Sequence, residues 1–199
     1  AQLESQGTHF VRWGAPDEAH PGVSIGCDNY QGGQSITSHL IGLGKTSFAF
    51  IGDNGDHAPE FKARFNGYFE TLQSHGLDQS SVQRNAISTE DAGSEAVKSL
   101  LQSGELPQAI VCASDLIAMG VLRALRQAKV NVPDDVAVVG YDNIAVSAYT
   151  TPSLTTVQQN TKLAGELLVN TLLKAINNED VQDYLMPADI IIRQSCGSE

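Results

Sequence analysis

The feature that most constrains the fold is an alternation, from Thr46 onward, of short apolar runs with longer stretches of helical period. Strands that alternate with helices form crossover units and a mostly parallel sheet. The sequence therefore predicts an α/β fold, with helices in the gaps between strands. The apolar runs place these strands near Ser47–Gly52, Val82–Ile87, Gln108–Ala113 and Val136–Gly140.

Three segments repeat apolar residues at helical spacing, and they predict helices near Tyr30–Leu43, Ser114–Ala128 and Gln159–Asn177. Such an apolar stripe packs on a sheet. The opening segment differs, because strand-like His9–Trp13 and Val23–Gly26 have no helix before them. We therefore expect this segment to be the tail of a domain whose beginning is absent.

Charge and composition limit the partners of these 199 residues. The formal net charge is −11, whereas phosphate binding requires clustered Lys and Arg, so this stretch is not expected to bind DNA by itself. No apolar run approaches the roughly 18 residues of a membrane-spanning helix. Three separated cysteines, Cys27, Cys112 and Cys196, lack the spacing of a disulfide framework or a zinc site, which indicates a reducing compartment.

No motif indicates enzyme chemistry. Gly44-Lys45-Thr46 resembles part of a phosphate loop, but it closes a predicted helix and leads into a strand, the reverse of what that loop requires. We interpret Gly44 as a helix C-cap. The histidines are scattered, and no nucleophile is paired with a base. The sequence predicts neither an enzyme nor a cofactor.

Polar residues follow the apolar runs, at the strand ends where open α/β sheets bind ligands. Ser114, Asp115 and Asp142 fit that position. A purely structural role is equally compatible with these residue types, because helix caps and turns favour them for backbone hydrogen bonding. Position alone leaves both interpretations open.

Two long segments carry a family resemblance. The first is Val-Pro-Asp-Asp-Val-Ala-Val-Val-Gly-Tyr-Asp-Asn at 132–143, and the second is Pro-Ser-Leu-Thr-Thr-Val-Gln-Gln at 152–159. Shorter pieces are Arg-Phe-Asn-Gly-Tyr at 64–68 and Ala-Ser-Asp at 113–115. Together they closely resemble the LacI/GalR (lactose-repressor) type of transcriptional regulator, over essentially the whole chain.

The resemblance implies a periplasmic-binding-protein-like fold of two Rossmann-like subdomains. Residues 1–26 and 158–187 would belong to the N-terminal subdomain, and residues 27–157 and 188–199 to the C-terminal one. The family's helix-turn-helix and the first half of its N-terminal subdomain have no counterpart here. We therefore expect an N-terminally truncated core whose last long helix exposes an apolar face formed by Ala164, Leu168 and Leu172.

The resemblance also implies an effector site. Arg64 would reach hydroxyls or a carboxylate of the ligand, Ser114 stands where many members have Asn, and Asp142 would accept paired sugar hydroxyls. A solvated helix arginine is the alternative for Arg64. Ser88 occupies a place where several members have an aromatic ring, and Trp13 is the only tryptophan available for stacking. The predicted ligand-binding residues are Arg64, Ser114, Asp115, Asp142, Gln159, Trp13 and Ser88.

The implied function is small-molecule sensing, most simply of a carbohydrate, by a cytoplasmic homodimer that binds operator DNA through a helix-turn-helix outside this chain. The effector would shift the relative populations of subdomain orientations. The predicted dimer contact comprises Met119, Ile144, Val146 and Tyr149, with the last three exposed; covering of the sheet edge is the alternative. A periplasmic sugar-binding protein is the second function that fits the sequence, and an enzyme on the same scaffold is the third.

Overall fold

The computed structural model describes residues 6–16, 22–77, 82–104 and 106–198. The chain divides into two compact units. The smaller comprises Ala1–Asp28 and Gln159–Ala188, and the larger comprises Asn29–Gln158 and Asp189–Glu199. The assignment of these units to the two subdomains of the family stays a prediction.

The larger unit is built on a six-stranded sheet, which confirms the predicted α/β class. Its strands are β3 (Phe48–Ile51), β4 (Val82–Arg84), β5 (Ala109–Cys112), β6 (Ala137–Asp142), β7 (Thr155–Gln158) and β9 (Asp189–Ile191). The strand order is β4-β3-β5-β6-β7-β9, and all neighbours are parallel except β7 and β9. Every residue of β3 and β5 is buried, as expected of strands covered on both faces.

Four α-helices belong to this unit: α1 (Asn29–Gly42), α2 (Pro59–Ser74), α3 (Glu90–Ser103) and α4 (Asp115–Gln127). The predicted C-cap of α1 is confirmed, because Gly44 has a φ of +81° and its N–H donates to the Ile41 carbonyl. Two 3₁₀-helices, Ala145–Tyr149 and Gln194–Cys196, follow β6 and β9 respectively.

The helices pack as two pairs, α1 with α2 and α3 with α4. Glycines make the close approach possible. A Cβ on Gly120 of α4 would lie 1.8 Å from the Glu90 carbonyl oxygen, and a Cβ on Gly93 of α3 would lie 2.1 Å from that of Ile117. Only glycine fits at these two contacts, which hold the first half of α4 against α3.

The smaller unit contains a three-stranded parallel sheet in the order β1-β2-β8, with β1 (Val11–Trp13), β2 (Val23–Cys27) and β8 (Tyr184–Met186). Helix α5 (Thr161–Ile176) packs against β1 and β2. It ends at Asn177, as predicted.

The expected apolar face of α5 is partly wrong. Ala164 is buried, and Leu168 and Leu172 are half-buried, because this side of the helix packs within the smaller unit. The exposed large apolar side chains of α5 are instead Val169, Leu173 and Ile176. Among the described residues, no helix combines the length and the apolar character that crossing a membrane demands.

Candidate functional site

Candidate residues of the larger unit gather at the carboxyl edge of its sheet. Strands β3, β5 and β6 are parallel, so their last residues lie on the same edge. Ser114 and Asp115 follow β5 after one residue, Ala113, and Asp142 is the last residue of β6. Arg64 comes from α2, the helix that follows β3. This edge of the sheet therefore carries four of the predicted binding residues.

Arg64 is a buried cation, only 4% exposed, which excludes the solvated alternative. Its Nε donates to Asn29 Oδ1 at 2.8 Å, and its Nη1 donates to the carbonyl of Ala113. Nη2 lies 3.5 Å from Asp142 Oδ1. A buried guanidinium is tolerated when hydrogen bonds and an opposite charge compensate for lost hydration.

Aromatic packing fixes the plane of this guanidinium. The Arg64 Cζ atom lies 3.7 Å from the centroid of the Tyr141 ring and 5.1 Å from that of Phe61. A guanidinium stacks favourably on an aromatic face. The Tyr141 ring is held in turn by α1, since a Cβ on Gly32 would lie 2.2 Å from the Tyr141 hydroxyl oxygen. Arg64 is thus fixed in position before any ligand arrives.

Ser114 and Ser88 form a pair of hydroxyls. Their Oγ atoms lie 2.8 Å apart, and Ser88 is exposed whereas Ser114 is buried. Ser114 also caps α4, because its Oγ accepts from the Ile117 N–H at 3.4 Å. The capping interpretation of Ser114 is therefore correct, and the cap leaves its hydroxyl beside that of Ser88.

Asp115 is fully buried, and both of its oxygens accept from the protein. Oδ1 accepts from the Thr156 hydroxyl at 2.6 Å, and Oδ2 accepts from the Ile144 N–H at 2.9 Å. Burial raises the pKa of this carboxyl to about 6, an effect that the two hydrogen bonds oppose. These contacts give Asp115 an internal role, holding the turn after β6 against β7. Its direct contact with a ligand stays a prediction.

The turn after β6 has an uncommon backbone. Asp142 has a φ of 112° and Asn143 a φ of 53°, values that residues other than glycine seldom adopt. The Asp142 side chain is 30% exposed, so its carboxylate reaches the surface while remaining near Arg64. Strained backbone of this kind is found at functional sites, where surrounding contacts hold it.

The loop after β3 is held by hydrogen bonds between its own residues. Asp53 Oδ1 accepts from the Gly55 N–H at 2.8 Å, and Oδ2 lies 2.6 Å from Nε2 of His57. The Gly55 N–H and the His57 side chain hold the pKa of the Asp53 carboxyl below its usual value. Asp53 therefore stabilises its own loop at the edge of the site.

Residues 37–196 match the family described as periplasmic binding protein-like domain. The chain belongs to this family. The larger unit, with its strand-end cluster, lies largely within the matched range, and the resemblance to LacI-type regulators is confirmed by the relatives that follow.

Two curated relatives of this periplasmic-binding-protein-like chain are transcription regulators. The HTH-type transcriptional repressor PurR of Glaesserella parasuis is 32% identical over 195 residues, covering 92% of this chain and 56% of the relative. The HTH-type transcriptional regulator RegA of Clostridium saccharobutylicum is 34% identical, covering 90% and 54%. The chain spans about half the length of these relatives. Both relatives are named as transcription regulators, which agrees with the expectation of a regulator rather than an enzyme.

Solved structures with this domain agree. The transcriptional regulator CelR in complex with cellobiose is 30% identical, with a TM-score of 0.88 over 97% of this chain and 60% of that one. A putative LacI transcriptional regulator from Bacillus cereus subsp. cytotoxis is 28% identical, with a TM-score of 0.89 over 100% and 71%. The predicted fold family is therefore confirmed.

Two predicted binding residues of this domain lie in its smaller unit. Trp13 is the last residue of β1 and is 46% exposed. Gln159 precedes α5, and its carbonyl accepts from the Thr161 N–H at 2.8 Å. Their roles toward a ligand stay predictions.

The predicted dimer residues share one region of the larger unit. Val146 and Tyr149 are exposed, at 47% and 84%, but Ile144 is half-buried rather than exposed, and its N–H donates to Asp115. Met119 and Tyr149 line one shallow groove. The contact itself stays a prediction.

Sequence reasoning missed several residues that shape the site: Asn29, Tyr141, Thr156 and Arg193. Tyr141 and Thr156 occur within the segments that carry the family resemblance, and Asn29 begins α1, but only their partners in space give these residues roles. Arg193 gives no local signal, since it follows a short strand and its acceptors lie far away in sequence.

Proposed function

We propose that the carboxyl edge of the six-stranded sheet binds a small polyhydroxylated molecule, such as a carbohydrate. The observation that carries the proposal is the fixed guanidinium of Arg64, which is buried at the edge and lies 3.5 Å from a half-buried carboxylate of Asp142. Paired hydroxyls of a sugar need both a donor and an acceptor within short reach. Arg64 and Asp142 supply one of each.

The pair of serines supports the same class of ligand. The Oγ atoms of Ser88 and Ser114, 2.8 Å apart, can each donate and accept. A ligand hydroxyl could join this pair by exchanging one hydrogen bond for another. An aromatic ligand face is less favoured here, because neither serine offers a surface for stacking. Asp115 would hold the turn after β6 in place, and the ligand-binding roles of Trp13 and Gln159, which belong to the smaller unit, stay separate predictions.

The whole protein is, in this proposal, a transcription regulator that works in the cytoplasm as a homodimer. The regulator names of the 32% and 34% identical relatives favour it over an exported sugar-binding protein. Operator DNA would be bound by a helix-turn-helix outside these 199 residues, since a formal net charge of −11 opposes contact with phosphates. The exposed face at Met119, Val146 and Tyr149 would be the dimer contact.

Calorimetric titration of the chain with cellobiose, D-ribose and a panel of hexoses tests the binding site. For the sugar that binds, Asp142→Ala is expected to weaken affinity by roughly 10- to 100-fold, because a hydrogen bond to a charged group contributes about 1.5–3 kcal/mol. Asp91→Ala is the matched control, as this exposed carboxylate pairs with Arg123 and not with Arg64. Equal affinities of both variants, or no binding of any sugar, would contradict the proposal.

A further inference from the structure

One side chain, Arg193, joins the turn at the candidate site to the 3₁₀-helix that carries the exposed face. Its Nη2 donates to Asn143 Oδ1 at 2.7 Å, next to Asp142. Its Nη1 donates to Ser147 Oγ at 3.1 Å and to the Leu154 carbonyl at 2.7 Å. Ser147 lies in the 3₁₀-helix Ala145–Tyr149, so the guanidinium bridges both ends of the same loop.

The backbone of Arg193 is held by hydrogen bonds to the neighbouring strand. The Arg193 N–H donates to Thr155 Oγ1 at 2.8 Å, and the same hydroxyl donates to the Arg193 carbonyl at 3.0 Å. The next turn is fixed as well, since Ser195 Oγ donates to the Val138 carbonyl at 2.6 Å inside the sheet. These hydrogen bonds hold the backbone of Arg193 in place. A displacement of the loop from Asn143 to Leu154 would therefore change its contacts with the guanidinium.

Asp115 holds the same loop from its other side. Its carboxylate accepts from the Ile144 N–H, and Thr156, which donates to that carboxylate, also accepts from the Asn143 N–H at 3.4 Å. The residues after Asp142 therefore form hydrogen bonds with the buried carboxylate of Asp115 on one side and with the guanidinium of Arg193 on the other. A displacement of the turn at Asp142 must change at least one of these hydrogen bonds.

We propose that Arg193 is a positioning residue that couples the turn at Asp142–Asn143 to the face bearing Val146 and Tyr149. The biological meaning rests on the proposed function, because a ligand at Asp142 is what would displace the turn. The coupling itself is a property of the free chain. The displacement caused by a ligand at the strand end would then be transmitted to the exposed face through Nη2 and Nη1 of Arg193.

The choice of arginine fits this role. Three acceptors on three different residues are met by one planar group whose donors have fixed directions. A lysine ammonium is a single point with a flexible stem, so it would hold one end of the loop at a time. Arg193→Lys is therefore expected to keep the charge but lose the coupling.

Hydrogen exchange of the free chain, followed by NMR, tests the coupling without any ligand. Two reporter amides are Ser147, whose N–H donates to the Ile144 carbonyl, and Leu154, whose N–H donates to the Ser147 carbonyl. Arg193→Met is expected to speed exchange at both amides about 10-fold and to leave core amides of β3 and β5 unchanged. Arg123→Met, which removes an exposed arginine of α4, is the matched control with no effect on the reporters.

A double-mutant cycle separates coupling from local support. Asn143→Ala removes the acceptor at the site end and is expected to speed exchange at the Ser147 and Leu154 amides about 3-fold. In the Arg193→Met background the same change should have a clearly smaller effect, because only the long contact of Ser147 Oγ with Asn143 Oδ1 at 3.5 Å is then left to lose. Should Arg193→Met fail to fold, the cycle is run with Arg193→Lys, for which about a 3-fold effect is expected.

Three results would overturn the proposal: unchanged exchange at the reporters, effects of Asn143 and Arg193 that simply multiply, or a uniform acceleration that includes β3 and β5. The last would mean that Arg193 only stabilises the unit as a whole. Because no sugar is added, failure here is distinct from failure of the binding site.

Discussion

The Nη2 atom of Arg64 lies 3.5 Å from Oδ1 of Asp142, and the two side chains differ in exposure, at 5% and 30%. The arginine is enclosed and held by further hydrogen bonds, whereas the carboxylate keeps part of its hydration. The contribution of the two partners to stability is therefore unequal, although they form one ion pair.

Arg64→Met is expected to lower the free energy of unfolding by about 3 kcal/mol. The change removes the hydrogen bonds that Arg64 donates to Asn29 Oδ1 and to the Ala113 carbonyl, and a hydrogen bond to a charged group contributes about 1.5–3 kcal/mol. Asp142→Asn should cost about 1 kcal/mol or less, since this long, partly hydrated pair is weak. Urea unfolding followed by circular dichroism measures both, and equal losses would show that the ion pair dominates instead.

Gly120→Ala is expected to destabilise the chain by at least about 2 kcal/mol, because the new Cβ would lie 1.8 Å from the Glu90 carbonyl oxygen and force α3 and α4 apart. Gly42→Ala is the control. It lies at the end of α1 with no atom within 4 Å of its Cβ, and it should be neutral or slightly stabilising. Thermal melting compares the two, and a parental melting temperature for Gly120→Ala would contradict the close packing.

Asp115 predicts a pH dependence of stability. The pKa of its carboxyl is about 6 in the folded chain and 3.8 ordinarily. Between these values the folded state holds a proton that the unfolded state has released, so this group's contribution to stability falls as pH rises from about 4 to about 6. It is constant above that range, at a cost of about 3 kcal/mol, since one pKa unit corresponds to about 1.4 kcal/mol.

Asp115→Asn removes this titration and should keep the local contacts, with its oxygen toward the Ile144 N–H and its amide toward Thr156. The difference in unfolding free energy between the parent and this variant is therefore expected to change by about 2 kcal/mol between pH 4 and 6.5, since part of the titration lies below pH 4. Asp91→Asn, at an exposed position, should show a flat difference. A flat difference for Asp115→Asn as well would place its pKa near the ordinary value.

Tyr149→Asp is expected to dissociate the proposed dimer, raising the dissociation constant at least about 10-fold, because a charge replaces an exposed aromatic ring at the contact. Ile87→Asp is the matched control, since Ile87 is also apolar and 67% exposed but lies after β4. Sedimentation equilibrium measures both variants. A parental constant for Tyr149→Asp, or an equal effect of Ile87→Asp, would remove this face from the dimer contact.

Several elements could be predicted from local pattern alone. Apolar runs predicted β3, β5 and β6, and apolar residues at helical spacing within Ser114–Ala128 predicted α4, because burial on a sheet imposes period and length. Gly44 predicted the end of α1, because helices commonly end with a glycine in the left-handed backbone conformation. Short strands such as β8 and β9, with partly exposed residues, carry no comparable signal.

The sequence by itself determined the α/β class, the family and the strand ends where polar residues gather, since these depend on local periodicity and on motifs. Only the tertiary structure decided what the polar residues do. It enclosed Arg64 against Tyr141, turned Asp115 inward and brought Arg193 to an acceptor 50 residues away in sequence. The reason is that strand order, with β9 antiparallel beside β7, sets these neighbours, and no local pattern records it.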